Sequence, residues 1–243
     1  MLKSSKDTAF MIRVLFEWIV LDMLIAYVFY KSLPAFFILM PGVIVYVRYR
    51  YRMYLADKKA LLSLQFRESI LAVSTSLNAG YSVENAFIEA YHDMRKMYGE
   101  EAPITREYHR MVLRLRDNEQ IEDLIRDFAR RSEIEDISDF AGVFEAAKRI
   151  GGDMTAIIKR AAANISEKIE VKREIETSMS SRKLELKIMI AVPFFILLYL
   201  QVSSGEFVSV LYHNLTGQMI MTAALILYLC GILTAVKIVN IEV

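Results

Sequence analysis

The chain has 243 residues, 55% of them hydrophobic, and a formal net charge of +1. That balance gives no global electrostatic pull toward nucleic acid, and the single cysteine, Cys230, excludes a disulfide framework within the chain. The apolar excess gathers in about the first fifty and last sixty residues, while the middle carries most of the charge, a pattern of membrane ends around one soluble domain of roughly 130 residues.

A helix needs about 20 mainly apolar residues to cross the hydrocarbon core. The first candidate runs from about Val14 to Tyr30. Glu17 and Asp22 fall inside it, and intramembrane carboxylates usually face protein or water. Arg13 lies four residues before Glu17, so the two can pair on one helix face at the cytoplasmic interface. Asp22 is deeper and leaves three readings open: a helix–helix contact, a neutral protonated acid, or a misplaced span. The same acids, with no small-residue cleavage site after them, argue against a cleaved signal peptide. Lys31, Ser32, Leu33 and Pro34 form a tight connection to the second candidate, about Leu33 to Val47, which is short and holds Pro34 and Pro41.

The middle segment shows no strand-like alternation and reads as helices throughout. The first leads on from Arg52 without a breaker before Gly80, which ends it. Ser82 is a plausible N-cap for the next, with Glu84 in its first turn. Val83, Ala86, Phe87, Ala90, Tyr91, Met94, Met97 and Tyr98 follow the spacing of one apolar face. Gly99 closes that helix, and Pro103 suits the first turn of another running toward Arg116. Asn118 can cap a short helix with Ile121, Leu124, Ile125 and Phe128 inward. Ile137, Phe140, Ala141, Phe144 and Ala147 define one more, broken by Gly151 and Gly152. Asp153 then caps a long helix whose inward face is Met154, Ile157, Ile158, Ala161, Ile165 and Ile169. With about six helices a compact bundle can form. The last helix has no proline or glycine before Pro193, so it can run unbroken into the third apolar stretch, about Leu186 to Val202. Two stiff connections of this kind would make the bundle and the membrane part move together.

The fourth candidate span covers about Gln218 to Val239, and in it Gly231 and Ala235 form a small-xxx-small pair that suits close helix packing. Lys and Arg set the direction. Lys3, Lys6 and Arg13 precede the first span; Arg48, Arg50, Arg52, Lys58 and Lys59 follow the second; Arg182, Lys183 and Lys187 precede the third; Lys237 follows the fourth. The connection from Ser203 to Gly217 carries only Glu206. Both termini and the middle domain are therefore expected in the cytoplasm. The expected organisation is a transmembrane hairpin over 1–50, a cytoplasmic helical domain over 51–185 and a second hairpin over 186–243. The fold class is an all-α integral membrane protein.

Chemistry-bearing patterns are absent. No GxxxxGK[ST] phosphate loop and no GxSxG elbow occur. His92, His109 and His213 do not cluster, and no pair has the spacing of a helical metal site. Acidic pairs such as Glu100–Glu101 and Glu133–Glu135–Asp136 read as solvated charge. Neither catalytic residues nor a metal nor a cofactor is expected. Arg126, Arg130 and Arg131 beside that acidic run read as a salt-laced surface or, more sharply, as a surface that docks a protein.

Three segments carry a family resemblance. Leu71-x5-Leu77-Asn78-Ala79-Gly80-Tyr81-Ser82-Val83-Glu84-x-Ala86-Phe87 resembles the start of the F domain of bacterial type II secretion and type IV pilus platform proteins. Phe144-Glu145-Ala146-Ala147-Lys148-Arg149-Ile150-Gly151-Gly152-Asp153-Met154 resembles the turn between that domain's last two helices. The run from Ser180 through Lys187 to Pro193 resembles its passage from charged helix into the membrane. The likeness covers about Leu61 to Leu200, and one F domain between two hairpins is similar to the tight-adherence pilus branch, the TadB and TadC proteins. The motif residues themselves, Gly80, Ser82, Ala86, Phe87, Glu145, Arg149, Gly151, Gly152 and Pro193, are expected to be structural or to meet a partner. The resemblance implies an inner-membrane platform protein without enzymatic activity. Its implied partners are a hexameric secretion ATPase, a second F-domain chain or a second copy, pilin subunits and membrane lipid. Asp22, Gly231 and Ala235 are the candidates for contacts between membrane helices. Rival readings are a membrane-anchored signalling module that oligomerises through its helices, and a small membrane enzyme or transporter built on Glu17 and Asp22.

Overall fold

A computed structural model of the chain describes residues 5–150, 154–203, 212 and 214–239. Among these residues every regular element is helical: α1 (Ser5–Ile25), a π-turn (Ala26–Tyr30), α2 (Leu33–Leu39), a 3₁₀ turn (Met40–Gly42), α3 (Val43–Asn78), α4 (Val83–Tyr98), α5 (Pro103–Arg116), α6 (Ile121–Ser132), α7 (Glu135–Ile150), α8 (Met154–Ser203) and α9 (Leu215–Val239). They form two compact units, Tyr54–Arg173 and a second made of Met1–Met53 with Glu174–Val243.

The Tyr54–Arg173 unit is a six-helix bundle built from most of α3, all of α4 to α7 and the first part of α8. Its core is aromatic. The Phe66 ring lies 5.9 Å from Phe128 and 5.4 Å from Phe140, both edge to face, and Phe87 lies 5.8 Å from Tyr108 and 6.2 Å from Phe144. Such pairs add to the burial term because ring edges and faces carry opposite partial charge. Ile70, Met94, Ile104, Ile121, Leu124, Ile125 and Ile137 fill the space between them. The Tyr108 hydroxyl donates to Ser69 Oγ at 2.8 Å, and the Ser69 hydroxyl in turn donates to the Phe66 carbonyl at 2.6 Å. Those buried hydroxyls are thereby satisfied.

Helix ends follow local chemistry. Gly80, at φ +91°, ends α3 in a Schellman motif: its N–H bonds the Leu77 carbonyl, and the Tyr81 N–H bonds that of Ser76. Ser82 accepts the Asn85 N–H at 3.3 Å and caps α4. Two expectations need correction. The residue at the N-cap of α6 is Gln120, without a side-chain cap bond; Asn118 instead adopts φ +61° in the turn that ends α5. Its N–H bonds the Leu115 carbonyl, so that turn, not the start of α6, takes the asparagine. Met97 shares the apolar spacing of α4 yet is 60% exposed, because it lies in the last turn before the Gly99 cap.

In the other unit, the second apolar stretch is not one continuous α-helix. Pro41 has no N–H to give, and the chain tightens into the 3₁₀ turn Met40–Gly42 before α3 begins. The π-turn at Ala26–Tyr30 and the left-handed Lys31 (φ +44°) leave the Val28 carbonyl open; it accepts the Tyr212 hydroxyl at 2.7 Å and Gln201 Nε2 at 3.0 Å. Val28, Phe29, Tyr212, Met221 and Leu225 make a small apolar cluster there. Pro193 sits inside α8. Next to it the Ile190 carbonyl takes the Tyr228 hydroxyl of α9. Among the described residues two helices are long and apolar enough to cross a membrane: α8, over Thr155–Ser203, and α9, over Thr216–Ile238.

Candidate functional site

The first two sequence motifs converge at one end of the bundle. Glu84, Asn85 and Ile88 of α4 and Lys148 of α7 line an open cleft of about 410 Å³ together with residues of the α5–α6 connection between Leu115 and Ile121. Ala86 and Phe87, from the first motif, belong to the core and are buried, as is Ala147 of the second. Lys148 Nζ reaches Glu122 Oε1 at 2.5 Å and ties α7 to α6 across this end. The other Glu122 oxygen is buried without a partner. Gly151 and Gly152 fall outside the described residues, and so does Asp153.

The second feature is the charged side of α6. Arg126 Nη2 lies 2.8 Å from Glu145 Oε2 on α7 and Nη1 lies 2.9 Å from Asp123. Arg149 holds the other Glu145 oxygen at 3.1 Å. The Arg126 guanidinium keeps the Glu145 carboxyl below the usual carboxylate range. Asp127 is shared by Arg130, Arg131 and Arg114, and Arg131 also reaches Glu107 on α5 at 2.7 Å. Burial pushes the Asp127 carboxyl up, but the bonds from Arg131, Arg130 and Arg114 outweigh it and hold the group below its usual range. The three arginines singled out from sequence are therefore all paired. Arg130 is the most open, with its side chain 82% exposed.

The third feature lies on α1. Glu17 is held by Arg13 at 3.1 Å and by Arg50 at 3.0 Å, and the Tyr46 hydroxyl donates to it at 3.4 Å. Trp18 packs on Tyr46 with ring centroids 5.3 Å apart. Asp22, about one turn further along, is 1% exposed and neither carboxylate oxygen has a partner. Gly231 is exposed on α9 with nothing within 4 Å of where a Cβ would stand, and Ala235 is half-buried.

Among the described residues no three His, Cys, Asp or Glu side chains are placed to hold a metal ion. His109 Nδ1 is spent on the Tyr91 hydroxyl at 3.1 Å. The acidic pairs are ion-paired: Glu100 with Arg95, Glu101 with Arg106, Glu133 with Lys59, and Asp136 with Lys168.

What decides the class is a family match: the model of the type II secretion system (T2SS) protein F family matches residues 70–201, more than half of the chain. The chain belongs to the protein F family. No curated protein and no solved structure matches it significantly. The protein F match begins in the second half of α3, takes in α4 to α7 and ends near the C-terminus of α8. It thus contains the cleft, the α6 arginines and the apolar part of α8. Membership places the chain in a family of platform-like proteins of type II secretion and type IV pilus machinery, and two of its described helices are long and apolar enough to cross a membrane.

Proposed function

We propose that this chain is a platform protein of the tight-adherence pilus branch, coupling a cytoplasmic secretion ATPase to the extraction and assembly of pilin subunits. The observation that carries the reading is the protein F match, which covers the bundle and the apolar part of α8 together. In this reading two transmembrane hairpins hold the bundle in the cytoplasm, with four crossings and both termini inside. The Lys/Arg excess beside each span and its absence from the Ser203–Gly217 connection support that direction. A cysteine at Ser209, in a Cys230→Ala background, should react with an impermeant thiol reagent applied outside intact cells. Labelling only after permeabilisation contradicts the topology.

The ATPase would dock on the bundle, for which the exposed guanidinium side of α6, led by Arg130, offers a charged surface. The absence of a phosphate loop in the sequence supports a part that receives motion without hydrolysing nucleotide. Affinity purification from native membranes tests the reading: a secretion ATPase and a second F-domain chain should co-purify, and the purified chain alone should hydrolyse no ATP above a membrane-protein blank. Turnover that persists through further purification overturns it.

A further inference from the structure

The start of α3 alternates aromatic and basic residues: Tyr46, Arg48, Tyr49, Arg50, Tyr51 and Arg52. The helix sorts them onto two sides. Tyr46 and Arg50 are one turn apart and both are engaged with α1, through Glu17 and Trp18. Arg48 and Arg52 are also one turn apart but lie roughly 120–160° round the helix from Tyr46 and Arg50. Both are exposed, and neither makes an ion pair or hydrogen bond among the described residues. Tyr49 and Tyr51 flank them, 43% and 42% exposed. Glu17 is already shared by Arg13 and Arg50 and leaves their charge uncompensated.

Depth follows from the neighbours. A Trp–Tyr contact beside an Arg–Glu–Arg cluster marks the membrane–water interface, where amphipathic rings and charged heads settle. Arg48 and Arg52 lie about 3 and 9 Å beyond Tyr46 along the helix axis. The headgroup layer is about 5–8 Å thick on each side. The two guanidiniums therefore span that layer on the side of α3 turned away from α1.

We propose that Arg48 and Arg52, framed by Tyr49 and Tyr51, bind the phosphate of an anionic phospholipid headgroup. Each guanidinium presents a fork that matches phosphate oxygens, and the two forks stand about 5–6 Å apart at their Cβ atoms, close enough to share one phosphodiester. The tyrosine rings lie against the acyl boundary with their hydroxyls at the glycerol level. The site rests on the reading that the N-terminal helices lie in the bilayer.

The test uses the full chain in discs of phosphatidylcholine with a minority of phosphatidylglycerol, and native mass spectrometry counts the lipids that stay bound. The wild-type chain should retain phosphatidylglycerol in preference to phosphatidylcholine. The Arg48→Gln/Arg52→Gln pair should lower that preference roughly tenfold or more. An Arg48→Lys/Arg52→Lys pair should fall between, since it keeps charge and loses the fork. Arg182→Gln/Lys183→Gln removes the same charge from α8 and should leave the preference close to wild type. An unchanged preference in the Arg48/Arg52 glutamine pair, or an equal loss in the α8 pair, overturns the site in favour of diffuse charge. Displacement of the lipid by millimolar inorganic phosphate overturns it in favour of a free-anion site. Entry into the discs is scored separately: a chain that stays outside the bilayer contradicts the membrane reading and this site with it.

Discussion

Arg50 on α3 places Nη2 3.0 Å from Glu17 Oε2 on α1, a bond between residues 33 positions apart that fastens the start of α3 to the N-terminal helix. The two side chains are about one-third exposed, so water screens the pair only in part. A partly screened pair of this kind contributes roughly 1 kcal/mol.

Glu17→Gln and Arg50→Gln should each lower the melting temperature in detergent by a few degrees, with the double variant costing less than the sum. A thermal-shift cycle measures this. Strict additivity would show that the two residues do not interact.

Tyr108 gives the bundle an alkaline limit. Burial raises its hydroxyl pKa above the ordinary value of 10.0. The neutral form is thus favoured in the folded state. Its contribution is full below pH 10 and is lost as pH rises beyond that, when unfolded tyrosine ionises and the folded one does not. Tyr108→Phe should cost about 1 kcal/mol at neutral pH, since Ser69 keeps its bond to the Phe66 carbonyl. The fall in stability above pH 10 should be shallower in the variant. Identical alkaline slopes in a pH series of denaturant melts would contradict the assignment.

Asp127 acts at the acid end. Its folded pKa is depressed below the ordinary 3.8, so its contribution is full above that value and is lost as pH falls through the depressed one. Asp127→Asn should cost roughly 1–2 kcal/mol at pH 7, because Arg114, Arg130 and Arg131 lose their common acceptor. Below about pH 3.8 the two proteins should converge. A constant gap down to pH 3 would assign the loss to packing and not to charge.

Periodicity made the bundle legible. Ala86, Phe87, Ala90, Ile121, Leu124, Ile125, Phe128, Ile137, Phe140 and Phe144 are buried where their helical spacing puts them. The caps at Gly80, Ser82, Gly99 and Pro103 could be read for the same reason, since each residue type solves a local backbone problem. Tertiary partners could not. The fit of Gly42 against Trp18, where a Cβ would stand 2.8 Å from the indole ring, depends on a chain reversal that no local pattern encodes. Asn118 misled because asparagine suits an N-cap and a left-handed turn alike. The arginines of α6 form a patch in the sequence itself, but Glu107 and Glu145, which pair with them, come from neighbouring helices that only the tertiary fold brings alongside.

Gly231→Leu offers a test of association, read beside the variant's own melting temperature. Gly231 is exposed and nothing lies within 4 Å of where its Cβ would stand, so the first atom of a larger side chain at this position meets open space in the single chain. If Gly231 and Ala235 meet another membrane helix, the variant should keep its melting temperature and lose cross-linked dimer or F-domain pairing. An unchanged cross-linking pattern would reject this face as an interface.

Helix α8 runs without interruption from Met154 to Ser203, and in the proposed function it would be the rod through which the bundle acts on the membrane helices. Glu174 lies on this helix, beyond the Tyr54–Arg173 bundle unit. Proline there removes a backbone hydrogen bond and strains the preceding turn by roughly 3 kcal/mol or more. The decisive measurement is pilus assembly in native cells carrying Glu174→Pro, with Glu174→Gln as the control that removes charge and keeps the helix. Both variants should reach the membrane at normal levels and retain the ATPase, and only the proline variant should fail to assemble pili. Normal piliation by the proline variant at normal protein levels would contradict it.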